Sequence, residues 1–512
     1  MTPHTALLAA QSRALMQQGR FADAEIPCRA ALDLTPDDAE LHFTLGTAQL
    51  ARGAVMCAQT TLGRAVALDP SHAPALNNLG HALRLQGRHD AAASAYQRAL
   101  LLQPAHPGMR NNLGSALLAL QRPGEAITHL EAAVSLQPDY AEACNNLGGA
   151  LLAQDRAPEA IAWFRRAAEL APELAEARLG EAIARLSIGD FQAGWPAYEA
   201  RWDLPELRAI APASDRPQWR GTTNITGQTI LLHAEQGLGD TIQFARYAPL
   251  LRARGAHVLL LAPTSLHGLL APLADQLIDP ADPLPAHDVV CPLLSLPLAF
   301  ATTPDTIPAS HPYLRADPAL VADWRRRLGS TPAWRVGIAW SGSPDHPEDV
   351  LRSIPLSAML AALHRPGIEL HGVQTDIAPA DRAALTARPG FTHHADALTD
   401  FSDTAALLAC MDLVISVDTS VAHLAGAMGR PVWLLLQANA DFRWLRQRPD
   451  SPWYPTMRLY RRTLGAAWGP TLARVGDDLS EASKPGAART RQVRSAPSRD
   501  GPSPWTLAVK GV

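Results

Sequence analysis

Three stretches in the second half of the chain bring carboxylates, hydroxyls and glycines together at strand-to-helix turns. The first, residues 233–247, reads H-A-E-Q-G-L-G-D-T-I-Q-F-A-R-Y. Gly237 and Gly239 let the chain turn sharply out of a strand, and Asp240 and Thr241 open a helix. A carboxylate there stands at the carboxyl end of the strand, where it can take a proton from an acceptor hydroxyl. Aspartate is also favoured as a helix cap whatever the function, so both readings of Asp240 stand at this point. The second stretch, 414–433, reads V-I-S-V-D-T-S-V-A-H-L-A-G-A-M-G-R-P-V-W. A buried strand ends at Asp418, and a helix starts after Thr419 and Ser420. Its first amides and dipole suit a diphosphate. Asp418 can bind ribose or sugar hydroxyls, Thr419 and Ser420 phosphate. His423, one turn in, can reach the same ligand or simply pack. The third stretch, 337–355, runs from a strand into a Gly-Ser loop and ends in Arg352-Ser353. Ser341 and Gly342 allow backbone amides near a ligand, and the Arg352 fork matches two phosphate oxygens.

Composition removes other chemistries. The only lysines are Lys484 and Lys510, against 43 arginines, so a Schiff-base or Walker lysine is excluded before the tail. Cys28, Cys57, Cys144, Cys291 and Cys410 lie far apart, which argues against a common zinc site or disulfide framework and fits a reducing compartment. No Asp-x-Asp pair occurs, so no metal cofactor is expected for a diphosphate donor. G-x-S-x-G, H-E-x-x-H, Walker A and G-x-G-x-x-G are likewise missing. A net charge of -4 gives no reason to expect nucleic acid as partner. There is no 18-residue apolar run and no visible signal peptide, so the expectation is a soluble, cytoplasmic protein without a transmembrane segment.

The elements that position these residues follow from periodicity. With 512 residues, two or three domains are expected. Pro36, Pro70, Pro104, Pro138 and Pro172 recur every 34 residues, the interval of tetratricopeptide repeats. With each proline at position 32, position 8 is Ser12, Gly46, Gly80, Gly114 and Gly148. Position 20 is Ala24, Ala58, Ala92, Ala126 and Ala160; position 27 is Ala31, Ala65, Ala99, Ala133 and Ala167. Small residues at these places let paired helices approach, and proline ends each second helix. A sixth, altered unit begins near Ala175, so the helical repeats are placed at 1–202. Asn77, Asn78, Asn111, Asn112, Asn145 and Asn146 are expected on the concave face, either to hold an extended peptide or as solvated polar positions.

Residues 203–227 read as a linker. Beyond it, strand-like runs at 229–233, 257–261, 289–291, 335–340, 369–373, 413–417 and 432–436 alternate with helical patterns. That alternation predicts parallel sheets covered by helices. Two lobes, 228–318 and 333–475, are expected, with 302–332 connecting them and a ligand cleft at the strands' carboxyl ends. The stretch 480–512, rich in Pro, Ser and Arg, is expected to be a disordered basic tail.

Together, G-L-G-D-T, W-S-G with R-S, and D-T-S-V-A-H-L-A-G-A-M-G-R-P resemble bacterial glycosyltransferases of the ADP-heptose heptosyltransferase type. The pieces D-F-R-W-L…S-P-W-Y-P-T-M-R-L-Y-R (441–461) and G-D-F-Q-A-G-W-P-A-Y-E-A-R-W (189–202) are similar to bacterial members that carry tetratricopeptide repeats. The resemblance covers about 228–475 and implies a GT-B fold of two Rossmann-like lobes following an α-solenoid. It also implies a metal-independent, inverting transferase of hexosyl or heptosyl groups that uses a nucleotide-sugar donor. Asp240 matches the proposed base. Asp418, Thr419 and His423 match donor-binding positions, to which Gly239, Thr241, Ser341, Gly342, Arg352, Ser353 and Ser420 are added. Arg352 would stand in part for a phosphate lysine that this chain does not have. The same architecture occurs in protein O-linked N-acetylglucosamine transferases, which suggests a protein or peptide partner on the repeats. Two alternatives stay open: a repeat scaffold with a degenerate GT-B domain, or a transferase for a lipid-linked or polysaccharide acceptor.

Overall fold

The computed structural model describes residues 2–309, 312–343, 349–385 and 390–484. The chain divides into two compact units between Ala184 and Arg185.

The first unit is a series of antiparallel helix pairs. Phe21–Leu34, Val55–Leu68, His89–Leu102, Pro123–Leu136 and Ala157–Leu170 are second helices at the 34-residue interval. Each is followed two residues later by one of the five periodic prolines, which cannot continue the helix. The position-8 glycines face the second helix of their own pair. A Cβ on Gly46, Gly80, Gly114 or Gly148 would lie 2.6, 2.7, 2.5 or 2.8 Å from the side chain of Leu62, Tyr96, Leu130 or Phe164. Contacts that short do not occur, so side-chain volume on one helix is matched by its absence on the other. In the first pair Ser12 takes the glycine's place, and its hydroxyl donates to the Ala24 carbonyl (2.8 Å). The alanines at positions 20 and 27 are fully buried in all five pairs.

The second unit starts earlier than the boundary expected at 202. The helix Phe191–Tyr198 forms as the altered repeat implies. Its aromatic residues replace the small ones, however, and pack into the second unit. Trp195 meets Phe244 and Phe442 edge-on, Tyr198 meets Phe442, and Phe191 lies against Trp453. The following turn, Glu199–Asp203, carries Arg201 into the interior. Its guanidinium makes two bonds to Glu235 (2.6 and 3.0 Å) and one each to Glu199 and Ser295 (both 2.8 Å).

Two parallel sheets form the body of this unit. The first comprises β1 (Thr229–His233), β2 (His257–Leu261), β3 (Gln276–Ile278) and β4 (Val289–Pro292) in the order β3-β2-β1-β4. The second comprises β5 (Trp334–Ala339), β6 (Ile368–Gly372), β7 (Phe391–His393), β8 (Leu413–Val417), β9 (Val432–Leu436) and β10 (Met457–Arg461). Its order is β10-β9-β8-β5-β6-β7. All seven expected strands are present. Three further strands, β3, β7 and β10, lie at sheet edges; β3 and β7 are only three residues long, too short for a periodic signal. Every residue of β8 and β9 is buried, as expected for strands with helices on both faces.

Two expected boundaries move. The connection placed at 302–332 contains the helix Pro318–Leu328, capped by Asp317, whose Val321 and Trp324 are buried. At the other end, the helix Gly469–Ala482 carries Leu472, Val475 and Leu479 into the same core as Leu356, Met359 and Leu360. The second lobe therefore runs past 475, and residues 480–482 belong to it rather than to a tail. The rest of the expected tail, 485–512, lies outside the described residues.

Candidate functional site

In each sheet the strand order reverses once, between β1 and β4 in the first and between β5 and β8 in the second. Such switch points open a crevice beyond the strands' carboxyl ends. Both face one cleft of about 1180 Å³. Its walls include Gln236–Asp240 after β1, 341–343 and Arg352 after β5, 373–376 after β6, Asp418–Val421 and His423 after β8, and Gln437, Asp441 and Arg443 after β9.

Asp240 opens the helix Leu238–Phe244, and its Oδ2 accepts from the Gly237 amide (3.0 Å). Asp240 is therefore not the N-cap, which is Gly237, but the N3 residue that reaches back to the N-cap amide, and its other oxygen is committed elsewhere: Oδ1 pairs with Arg443 of the opposite lobe. Burial pushes the Asp240 carboxyl up from its ordinary range, while the Arg443 guanidinium pulls it back. Burial disfavours the Arg443 cation, but Asp240 and Asp441 more than offset it and hold the group charged. The glycine before Asp240 has a reason of its own. A Cβ on Gly239 would lie 2.8 Å from the His423 ring, so glycine lets Leu238–Phe244 pack on Ser420–Ala427.

Asp418 ends β8 at the cleft. Its Oδ2 accepts from the Trp444 indole N–H (2.7 Å), and Oδ1 lies 3.8 Å from His423 Nε2. Burial, with the nearby Asp441 charge, pushes its pKa up to about 6. His423 is buried, and its Nδ1 meets the Tyr454 hydroxyl at 2.9 Å. Burial and the Arg443 and Arg246 charges push it down to about 3, so the ring is neutral at physiological pH. It both packs and lines the cleft. Thr419 is the N-cap residue of Ser420–Ala427, but its side chain caps no amide. Its hydroxyl meets Ser416 instead (3.2 Å), so the helix start faces the cleft uncapped by a side chain.

The loop after β5 is organised by two residues that the sequence reading did not single out. Asp349 accepts from the Gly342 amide (3.0 Å), from Arg352 Nε (3.0 Å) and from the Ser353 hydroxyl (2.8 Å). Gln374 accepts from the Trp340 and Ser341 amides (2.8 and 3.2 Å) and donates to the Ser341 hydroxyl (2.7 Å). Arg352 also donates to the Asp418 carbonyl (2.9 Å), joining the β5 loop to the β8 turn. Of the expected donor-binding set, Gly239, Ser341, Gly342, Arg352, Asp418, Thr419, Ser420 and His423 line the cleft with Asp240. Thr241 and Ser353 do not. Thr241 is buried with its hydroxyl on the Gly237 carbonyl (3.3 Å), and Ser353 braces the loop from behind.

Charge at the cleft is lopsided. Asp240, Asp376, Asp400, Asp418 and Asp441 line it against Arg352 and Arg443. Among the described residues, no group of three or more His, Cys, Asp and Glu could hold a metal ion.

In the first unit the paired asparagines bond to one another across repeats. Asn112 donates to Asn77 (3.0 Å) and Asn146 to Asn111 (2.8 Å), while Asn78 donates to Thr47 (3.0 Å). The Asn145 carbonyl oxygen is buried without a hydrogen-bond partner among the described residues. These side chains are only partly exposed, and Asn111 is buried.

Besides Asp349 and Gln374, the residues missed by sequence reasoning cluster in the turn after β9. Asp441 holds Arg443 through its amide (2.9 Å) and Nη1 (2.7 Å), which aims Arg443 at Asp240 and leaves Trp444 on Asp418. One turn thus reaches both candidate carboxylates. Its signal was D-F-R-W-L, visible as a similarity but without an assigned role.

The class this defines is a helical repeat unit joined to a two-lobed, Rossmann-type α/β unit of GT-B form. Comparison with known proteins agrees. Tetratricopeptide repeat families match residues 71–139 and 111–175, and Glycosyltransferase family 9 (heptosyltransferase) matches 392–439. The chain is 28% identical over 336 residues to Protein FlbA of Caulobacter vibrioides (strain ATCC 19089 / CIP 103742 / CB 15). That match covers 59% of this chain and 55% of FlbA, so the chain spans about half the length of this relative. Among solved structures, MamA is 25% identical with a TM-score of 0.31, covering 34% of this chain and 96% of MamA. The tetratricopeptide repeat protein TTC0263 of Thermus thermophilus is also 25% identical, with a TM-score of 0.30, covering 36% and 99%. The chain therefore combines tetratricopeptide repeats with a region similar to glycosyltransferase family 9. Among the described residues no helix is long and apolar enough to cross a membrane.

Proposed function

We propose that the second unit transfers a sugar from a nucleotide-diphosphate donor to an acceptor hydroxyl with inversion at the anomeric carbon. The observation that carries this is the convergence of both lobes' switch-point residues, Asp240 from one and Asp418 with the start of Ser420–Ala427 from the other, on one cleft. In the transfer, the acceptor oxygen bonds to the anomeric carbon as the bond from that carbon to the diphosphate oxygen breaks. The electron pair leaves with the diphosphate, and the acceptor proton passes to Asp240. Arg352, Arg443 and the amides at Ser420 oppose the charge that develops on the leaving group. No metal is invoked, since the chain has no Asp-x-Asp pair to present one to a diphosphate. The acceptor is a protein or peptide held by the repeats, which fits the cytoplasm as the place of action.

The test is thermal unfolding with ADP, UDP and GDP and their sugars. A nucleotide at about 100 times its dissociation constant stabilises the native state by roughly 2.7 kcal/mol. The expected result is a shift with one base that Asp418→Ala abolishes. With the donor known, Asp240→Asn is expected to lower turnover by about 10²–10⁴-fold when assayed at a temperature at which the variant is fully folded. No shift with any nucleotide, or unchanged turnover in Asp240→Asn, overturns the reading.

A further inference from the structure

The lopsided charge of the cleft raises a difficulty for an anionic donor. Among the described residues, five aspartates line it, and each of the two arginines there already faces an acid. Arg352 is tied to Asp349 and to the Asp418 carbonyl, both on its own lobe. Arg443 is placed differently. It is buried, crosses from the second lobe to Asp240 on the first, and lines the cleft. Asp441 grips Nη1, and Phe442 lies under the guanidinium with the ring centroid 4.5 Å from Cζ. Among the described residues, its buried Nε–H has no hydrogen-bond partner. Such a group in a protein interior is costly, and a charged donor even more so.

We propose that Arg443 is a shared cation: it holds Asp240 while no donor is bound, and moves onto the donor diphosphate when one enters, releasing Asp240 to act as base. This inference rests on the transferase reading above. Arginine suits the exchange because its fork offers several N–H groups in one plane, so Nη1 stays on Asp441 while Nε and Nη2 turn to phosphate oxygens. A base paired with a cation is a weak proton acceptor. Coupling its release to donor binding confines proton abstraction to the complex in which the leaving group is in place. No covalent bond forms or breaks in the exchange; one ion pair replaces another.

The consequence that distinguishes a shared cation from a structural ion pair is competition. If Asp240 and the diphosphate compete for Arg443, removing the carboxylate tightens diphosphate binding, and only while Arg443 is present. The experiment is calorimetric titration of the full chain with ADP, UDP and GDP, comparing the parent, Asp240→Asn, Arg443→Gln and the double variant. For the diphosphate that binds the parent, Arg443→Gln is expected to weaken binding tenfold or more. Asp240→Asn is expected to tighten it several-fold, and to give no gain when Arg443 is already glutamine. Arg443→Lys, which keeps the charge without the fork, guards against a glutamine variant that does not fold. It is expected to bind more weakly than the parent and to keep the Asp240→Asn gain. Equal affinity in the parent and Arg443→Gln overturns the shared cation and leaves the transferase reading intact. So does a gain from Asp240→Asn that persists without Arg443, because it would reflect bulk charge alone. A parent that binds none of the three diphosphates overturns the transferase reading and this inference together.

Discussion

The repeat unit and the two-lobed unit bury their interiors by opposite means. In the repeats, burial rests mainly on size: glycine against Leu62, Tyr96, Leu130 or Phe164, and alanine at the same two positions of every pair, with the buried Glu25, held by Arg29 and Arg52, as an exception. The two-lobed unit instead buries charge. Arg201 sits between Glu235 and Glu199, and Arg443 between Asp240 and Asp441. The first strategy repeats and needs only neighbouring residues. The second is used once per site and, beside a local acid two residues away, joins residues far apart in the chain, Arg201 to Glu235 and Arg443 to Asp240. Stability in the repeats is therefore spread over many equivalent contacts. In the lobes it is concentrated in a few pairs whose loss leaves a charge stranded.

The sharpest way to break this contrast is to strand such a charge. Arg201→Ala leaves Glu235 fully buried without its cation. The expected cost is about 3–5 kcal/mol, the usual range for removing one partner of a buried pair. Urea unfolding followed by tryptophan fluorescence measures it. Replacing both partners, Arg201→Met with Glu235→Gln, is expected to recover a large part of that loss. A single variant with parent-like stability would mean that the lobes do not depend on buried charge after all.

The repeats call for a test of size. Gly114→Ala puts a methyl group 2.5 Å from Leu130 Cγ, so it is expected to destabilise the helical unit by about 1–3 kcal/mol. This is against the helix propensity of alanine, which favours the change by roughly 1 kcal/mol. In a Leu130→Ala background the collision is gone, and the same substitution is expected to be neutral or stabilising. Denaturation of the four chains gives the cycle. A Gly114→Ala effect of the same sign and size in both backgrounds would remove the size-matching account.

The same contrast explains what could be read from the sequence. The repeat register was fully legible because Pro36 to Pro172 and the position-8 residues state one local rule five times. Strands such as β8 and β9 were legible because they are continuous apolar runs. The cleft was legible in part. Asp240, Asp418 and His423 lie in the turns and first helical residues that follow β1 and β8, and strand ends can be located. Arg443 could not be assigned, because its partner Asp240 belongs to the other lobe and only the packed structure brings them together. Asp349 was hidden for a related reason: among several acids of a polar loop, only the fold shows which one gathers Gly342, Arg352 and Ser353. The boundary expected at 202 falls instead between Ala184 and Arg185, because the bulk of Phe191, Trp195 and Tyr198 commits their helix to the aromatic cluster with Phe442 and Trp453.

The smallest expected effect concerns a buried charge that has no cation of its own. Asp418 accepts from an indole N–H rather than an arginine side chain, and its pKa is raised from an ordinary 3.8 to about 6. A carboxyl with a raised native value binds its proton more tightly folded than unfolded. Its favourable contribution is therefore present in full below about pH 4 and is lost as the pH rises through 6. Above that, the protein carries the cost of an ionised, mostly buried group. Asp418→Asn keeps an oxygen for Trp444 but cannot ionise. Since Asp418 is partly exposed, the gain at pH 7.5 is expected to be on the order of 1 kcal/mol, or roughly 1–2 °C in Tm. The gain should shrink towards zero as the pH falls below 5. Differential scanning calorimetry of both chains across pH 4–8 tests this, because subtracting the parent cancels every other titrating group. A difference that stays constant with pH would mean that Asp418 carries no ionisation cost, and that the lobes tolerate a lone buried carboxylate as easily as the repeats tolerate their partly buried asparagines.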